Sequence, residues 1–154
     1  VRIICASHFR TPLESRVVRT AGEAETILAT CETDGEKIAP YTAAGCQVWT
    51  LPEREGHVDL AALMDRLGTA EIDGVLLEGG GTLNWAMLEA GLVQRVQAYI
   101  APKLFGGGAA KSPVEGAGVE LPAQAAHLRS PTVTRLGEDF LLEGEVDADV
   151  HRNH

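Results

Sequence analysis

Several kinds of residue are scarce in this chain, and each scarcity closes off a class of explanation. Basic side chains are few: 13 Lys plus Arg stand against 22 Asp plus Glu, a formal charge of −9 over 154 residues. That balance argues against general binding to nucleic acid or to an anionic membrane, although a local basic patch can still hold one phosphate. Cysteine is limited to Cys5, Cys31 and Cys46, an odd number, widely spaced and without a C-x-x-C pair. Neither a disulfide framework nor a zinc site is suggested, and free buried thiols in a reducing, cytoplasmic setting are expected. No secretory signal is visible, and no apolar run approaches the ~20 residues of a membrane-spanning helix.

Familiar catalytic signatures are missing too. His8, His57, His127, His151 and His154 form no H-x-x-x-H or H-E-x-x-H pattern, and no G-x-S-x-G elbow is present. Lys111-Ser112 follows Gly106-Gly107-Gly108 but fails as a phosphate-binding loop. Ala110 and Phe105 stand where that pattern needs glycine. A surface loop is the better reading. Trp49 and Trp85 lie within apolar strand and helix patterns and are read as core.

What is present is an ordinary globular composition, 45% hydrophobic and 23% charged, at a length that suits one domain. The most informative stretch runs from Ile72 to Leu92. Val75-Leu76-Leu77 suits a short strand buried on both faces. Glu78 follows, then Gly79-Gly80-Gly81 and Thr82. Leu83, Ala86, Met87 and Ala90 then keep the i, i+3, i+4, i+7 spacing of one helix face, with Gly91 placed to stop it. A strand, an acid, three glycines and a helix make a turn that a ligand can approach without meeting a Cβ. Unpaired N–H groups at the helix start would suit a phosphate. The same pattern also suits a plain strand-to-helix turn. It has neither the G-x-G-x-x-G spacing of a dinucleotide fingerprint nor a G-K-[ST].

Elsewhere, Val1–Ala6, Thr26–Thr30 and Gln47–Leu51 read as strands. Helices are expected over 36–44, ended by Gly45, and from an Asp59 cap through Leu60, Leu63, Met64 and Leu67 to Gly68. Glu53–His57 reads as a loop. Beyond residue 92 the grammar becomes antiparallel. Val96–Pro102 alternates, and Val133–Leu136 and Phe140–Val146 flank Gly137-Glu138-Asp139 as a hairpin. The fold class is therefore α/β, a mixed sheet flanked by helices, mostly parallel at first and closed by an antiparallel C-terminal hairpin. Residues 147–154 read as a polar tail. Arg10, with Ser7 and Arg16 nearby, follows the first strand, where it could hold an anion or simply be solvated.

Four blocks together resemble a known family: S-H-F-R-T-P-L-E-S-R-V (Ser7–Val17), V-L-L-E-G-G-G-T-L-N (Val75–Asn84), L-E-A-G-L-V (Leu88–Val93) and Y-I-A-P-K-L-F-G-G (Tyr99–Gly107). They look like the reductase domain of the bacterial bifunctional riboflavin-biosynthesis deaminase/reductase, over most of residues 1–146. The resemblance implies a dihydrofolate-reductase-like fold. It also implies NADPH-dependent reduction of the ribose of 5-amino-6-(5-phosphoribosylamino)uracil to its ribityl form. Carried over by motif, Glu78 would contact substrate near the nicotinamide, and Gly80, Gly81, Thr82, Leu83 and Asn84 would line the cofactor. Ser7 would lie near its adenosine end, with Arg10 as the positive partner of a 2′-phosphate. Lys103 is assigned to structure only, and no catalytic residue or metal ligand is assigned. A homodimer is implied, as is a tethered zinc deaminase domain in the full-length protein, whose H-x-E and P-C-x-x-C motifs are not in this sequence. Two departures stand out. Ala6-Ser7 replaces the usual Asp-Ser, and family domains begin upstream of Val1, so the chain is expected to be a fragment with little turnover of its own. Two alternatives remain open: a related NADPH reductase of another substrate, and a non-catalytic nucleotide-binding or dimerisation module.

Overall fold

In this computed structural model residues 1–147 are described, and the chain divides into two units, Val1–Gly74 and Val75–His154. Most of the expected tail, with His151 and His154, lies outside the described residues. The first unit is organised around β2 (Thr26–Thr30), every residue of which is buried. It lies between β1 (Arg2–Cys5) and β3 (Gln47–Thr50), parallel to both. A strand covered on both edges and both faces has no solvent side, and that is why T-I-L-A-T shows no polar alternation. On one face Leu28 packs with Val18 of α1 (Arg16–Arg19), Tyr41 of α2 (Gly35–Ala43) and Cys46. On the other, Ala29 packs with Val58 and with Leu63 and Leu67 of α3 (Leu60–Thr69). Burying a side chain such as Leu67, 2% exposed, stabilises the unit by roughly 1.5–3 kcal/mol. Trp49 is a core residue as read, with the Arg66 guanidinium 5.2 Å from its ring centre.

The helix ends follow the sequence closely, with one exception. The Asp59 side chain accepts from the Ala62 amide at 3.0 Å, as its position predicts. Gly45 leaves α2 at φ 91°, and Cys46 N bonds back to Tyr41 O. Helix α3, however, passes through Gly68 and stops at Thr69. There Glu71 takes the left-handed conformation (φ 59°), with Glu71 N on Gly68 O and Ile72 N on Leu67 O. The terminating motif is the usual one, but a glutamate occupies the position that normally takes glycine. The expected loop at Glu53–His57 is instead a hairpin, β4 (Glu53–Arg54) and β5 (His57–Val58). Its two central residues, Glu55 (φ 53°) and Gly56 (φ 77°), both have positive φ, the geometry that matches strand twist.

The second unit holds α4 (Gly81–Glu89), β6 (Arg95–Ile100), β7 (Leu128–Leu136) and β8 (Asp139–Val146), with β8 antiparallel between the other two. The hairpin β7–β8 turns at Gly137 (φ 66°), as expected, and β7 begins earlier than read, with a bulge between Arg129 and Thr132. Gly91 ends α4 at φ 67°, its amide bonded to Leu88 O and that of Leu92 to Met87 O. The α/β class with parallel and antiparallel strands therefore holds, the ladders falling into separate sheets. Val75-Leu76-Leu77 is the correction. These residues form no ladder among the described residues, and Val75 and Leu76 are 42% and 76% exposed rather than buried. Three residues cannot hold a strand unless a neighbour supplies the inter-strand bonds.

Candidate cofactor site

The turn from Glu78 into α4 has the form the sequence implies, but its three glycines do different things. A Cβ on Gly79 would meet the Leu83 side chain at 2.8 Å, so Gly79 is small to let that leucine fold back beneath the turn. A Cβ on Gly81 would lie 2.6 Å from Glu115 Cγ and 2.8 Å from Ser112 O, so Gly81 is small to admit another part of the chain. Only Gly80 faces open space, with nothing within 4 Å of where a side chain would begin. Gly80 is also the residue that starts the helix. Its backbone is extended (φ −74°, ψ 166°), its carbonyl accepts from Asn84 N at 3.0 Å, and no side chain caps the helix there.

The starts of α2 and α3 are filled, whereas that of the four-residue α1, at Ser15, is not. Asp34 accepts from Glu36 N at 2.9 Å at the start of α2, and Asp59 does the same for α3. Helix α4 has neither a capping side chain nor an acid in its own first turn. Its leading N–H groups and the positive end of its dipole are thus left for something other than a local carboxylate. Thr82 is exposed, while Leu83 and Asn84 are half-buried. Asn84 Nδ2 donates to Pro113 O at 2.8 Å, whereas Asn84 Oδ1 and Trp85 Nε1 are buried without a partner. Glu78 is exposed beside the turn, and its side chain makes no hydrogen bond or ion pair among the described residues. Lys103 is exposed as well, its amide bonded to Ala101 O.

Ser7 and Arg10 belong to the first unit, in the loop that leaves the carboxyl end of β1. Ser7 is held three ways: its hydroxyl oxygen accepts from Val58 N at 3.1 Å, and its carbonyl accepts from Cys31 N and from Thr30 Oγ1, each at 3.0 Å. The hydroxyl proton remains free to donate. Phe9 (φ 49°) stacks on Tyr41 with ring centres 4.4 Å apart, and Tyr41 Oη donates to Thr11 O at 2.8 Å. Tyr41 thus fixes the loop that carries Arg10, a part the sequence did not reveal. Arg10 itself is exposed, its side chain without a hydrogen bond or ion pair among the described residues, and Arg16 begins α1. At the end of β2, Glu32 accepts from Thr33 N, Asp34 N and Lys37 Nζ. The Lys37 hydrogen bond, more than the amides, holds its carboxyl below the usual range. Burial pushes the Cys5 thiol up, as suits an inert core thiol.

Among the described residues no group of three or more His, Cys, Asp or Glu side chains is placed to hold a metal, and no helix is long and apolar enough to cross a membrane.

Comparison with known proteins places these features in a family. The chain is 45% identical over 143 residues to the riboflavin biosynthesis protein RibD of Actinobacillus pleuropneumoniae, covering 93% of this chain and 38% of that protein. It is 36% identical to the 2,5-diamino-6-ribosylamino-4(3H)-pyrimidinone 5′-phosphate reductase of Methanothermobacter thermautotrophicus, covering 93% of this chain and 64% of the reductase. The chain thus spans less than two thirds of either relative. Its fold matches that of RibD from Acinetobacter baumannii, with a TM-score of 0.77 at 24% identity over 95% of this chain and 37% of that one. A pyrimidine reductase-like protein from Corynebacterium diphtheriae gives 0.71 at 14% identity, over 94% and 59% of the two chains. The model of the RibD C-terminal domain matches residues 1–142, and the chain belongs to that family.

Proposed function

We propose that this chain is the cofactor-holding part of an NADPH-dependent reductase of riboflavin biosynthesis. Its substrate would be the 5′-phosphate of a ribosylaminopyrimidine, 5-amino-6-(5-phosphoribosylamino)uracil, whose ribose is reduced to ribityl. The observation that carries this reading is the start of α4. It is a helix end with no capping side chain, entered through a glycine that has open space where a side chain would be. A diphosphate fits such a place, because backbone N–H groups and the helix dipole meet it without a Cβ in the way.

Bound NADPH supplies a hydride to C1 of the ring-opened ribose, and one proton is taken up as the ribityl product forms. The chain's own residues bind and orient. Amides of Gly80, Gly81 and Thr82 receive the diphosphate, and Leu83 and Asn84 shape the wall behind them. Glu78, beside that turn, contacts the substrate and fixes its approach. From the family resemblance alone, the Ser7 hydroxyl and the Arg10 guanidinium of the first unit would serve the adenosine end and the 2′-phosphate, the group that separates NADPH from NADH. In the longer polypeptide this unit would be joined to a zinc deaminase and would work in the cytoplasm. A homodimer accords with the exposed apolar residues Tyr99, Ile100, Val133 and Phe140 of the second unit.

Calorimetric titration with NADPH and with NADH tests the reading. NADPH should bind saturably and more tightly, and Arg10→Gln should weaken NADPH by about 10-fold while leaving NADH unchanged. Gly80→Val should remove binding of both with only a small loss of stability, since its Cβ meets nothing within 4 Å and the cost is that of a poorer helix cap. Unchanged affinity in Gly80→Val would mean that the glycines serve the turn and nothing else.

A further inference from the structure

Arg10 stands on a loop that is held by a side chain from another element. Helix α2 places Tyr41, 7% exposed, in the core among Val18, Leu28 and Cys46. Its ring stacks on Phe9, with centres 4.4 Å and planes 14° apart. Its hydroxyl lies 2.8 Å from Thr11 O and 3.3 Å from Phe9 O, so one donor reaches the carbonyls on both sides of Arg10. Burial foremost pushes the pKa of that hydroxyl up, which keeps its proton in place. Phe9 itself takes the left-handed conformation (φ 49°), its amide bonded back to Ala6 O at 3.0 Å. A bulky side chain adopts that geometry only where its surroundings enforce it, and the stacked Tyr41 ring does so here. Ser7, earlier in the same loop, has separate anchors in Val58 N, Cys31 N and Thr30 Oγ1.

We propose that Tyr41 is a positioning residue for the choice of nucleotide: by clamping the carbonyls of Phe9 and Thr11 it holds Arg10 in the geometry from which its guanidinium meets a 2′-phosphate. The proposal rests on the reading that Arg10 takes that phosphate, and it names what sets the strength of the contact. An arginine on a loose loop meets its ligand only while the loop is rightly placed, and the apparent affinity falls by that fraction. NADH lacks the phosphate and gains nothing from the clamp. Ser7 keeps its own anchors whether or not the clamp is there.

Tyr41→Phe isolates the clamp. It keeps the ring on Phe9 and the packing against Val18 and Leu28, and removes only the hydroxyl. NADPH and NADH are titrated calorimetrically into the parent chain, Tyr41→Phe, Arg10→Gln and the double variant. Tyr41→Phe should weaken NADPH about 5-fold and leave NADH unchanged. In the double variant it should add nothing to the loss that Arg10→Gln already causes, because it acts through that residue. Phe9→Gly, which accepts the positive φ without the stacked ring, should show the same NADPH-specific loss and decides the matter where Tyr41→Phe does not fold. Equal weakening of both nucleotides, no weakening, or a further loss in the double variant would overturn the proposal. If the parent binds neither nucleotide, or if Arg10→Gln binds NADPH as the parent does, the reading of Arg10 fails and takes this one with it. If Arg10→Gln loses NADPH affinity while Tyr41→Phe matches the parent, only the positioning role fails.

Discussion

Helices α3 and α4 are close in length and both end in the same way, yet they begin differently. Helix α3 starts on Asp59, whose carboxylate takes the Ala62 amide, and its buried Leu63 and Leu67 anchor it to the sheet. Helix α4 starts on Gly80 with no side-chain cap, beside open space. A filled helix start stabilises the protein by about 1 kcal/mol relative to an alanine there. A glycine there forgoes only about a few tenths of a kcal/mol and leaves amides that an anion can use. The start of α3 serves the fold; that of α4 is, on our proposal, left for an anion.

That contrast can be pressed from both sides. The largest effect is expected at Gly81, where a side chain would collide with Ser112 O and Glu115. Gly81→Val should push segment 112–115 off and destabilise the chain by about 1–3 kcal/mol in urea unfolding. Gly80→Val, one residue away, should cost less, about 0.5–1 kcal/mol for the poorer helix cap. Equal losses at the two glycines would erase the distinction between them. Next in size, Asp59→Ala should lower stability by about 1 kcal/mol through the lost cap and leave nucleotide affinity alone. A change in affinity there would mean that α3 is not a purely structural helix.

The smallest effect lies in the second unit's sheet, where a carboxylate supports strands rather than a helix. Glu143 accepts from Gln97 Nε2 at 2.7 Å and Arg95 Nη2 at 2.9 Å, and the Gln97 bond foremost lowers its pKa. A depressed carboxylate contributes stability that is present above its unfolded value, about 4.5, and is lost as pH falls through the lower folded one. Glu143→Gln should therefore lower stability above about pH 6 and leave it nearly unchanged at pH 3, narrowing the gap between them. A parent chain equally stable at both pH values would contradict the assignment.

Much of this was legible in the sequence, and the gaps have physical reasons. The buried strand T-I-L-A-T, the Asp59 cap and the stops at Gly45 and Gly91 were plain, because each is written in local chemistry: a run without polar breaks, a short acid before an apolar period, a glycine after one. Val75-Leu76-Leu77 misled because hydrophobicity marks a strand's wish to pair but not whether a partner is there. The hairpin at Glu53–Val58 escaped because two-residue strands carry no period and Glu55 is a poor advertisement for positive φ. Helix α3 outran Gly68 because glycine within a helix costs only about 1 kcal/mol, which the packing of Leu67 offsets. The glycine turn itself was found, but the division of labour inside it was not. Gly81 is small because of Ser112 and Glu115, and Gly116 because of Trp85, contacts that depend on residues some thirty positions away.

The most direct test converts one helix start into the other. Gly80 has the extended backbone that an aspartate cap adopts (φ −74°, ψ 166°, beside Asp59 at φ −63°, ψ 113°). Gly80→Asp should therefore cap α4 as Asp59 caps α3, preserving the stability of the chain or raising it by about a few tenths of a kcal/mol. A carboxylate would then sit where the diphosphate is proposed to go. The account predicts a protein at least as stable as the parent that no longer binds NADPH in a calorimetric titration. A Gly80→Asp chain that is stable and binds NADPH with the parent's affinity would show that the open start of α4 is not the cofactor site.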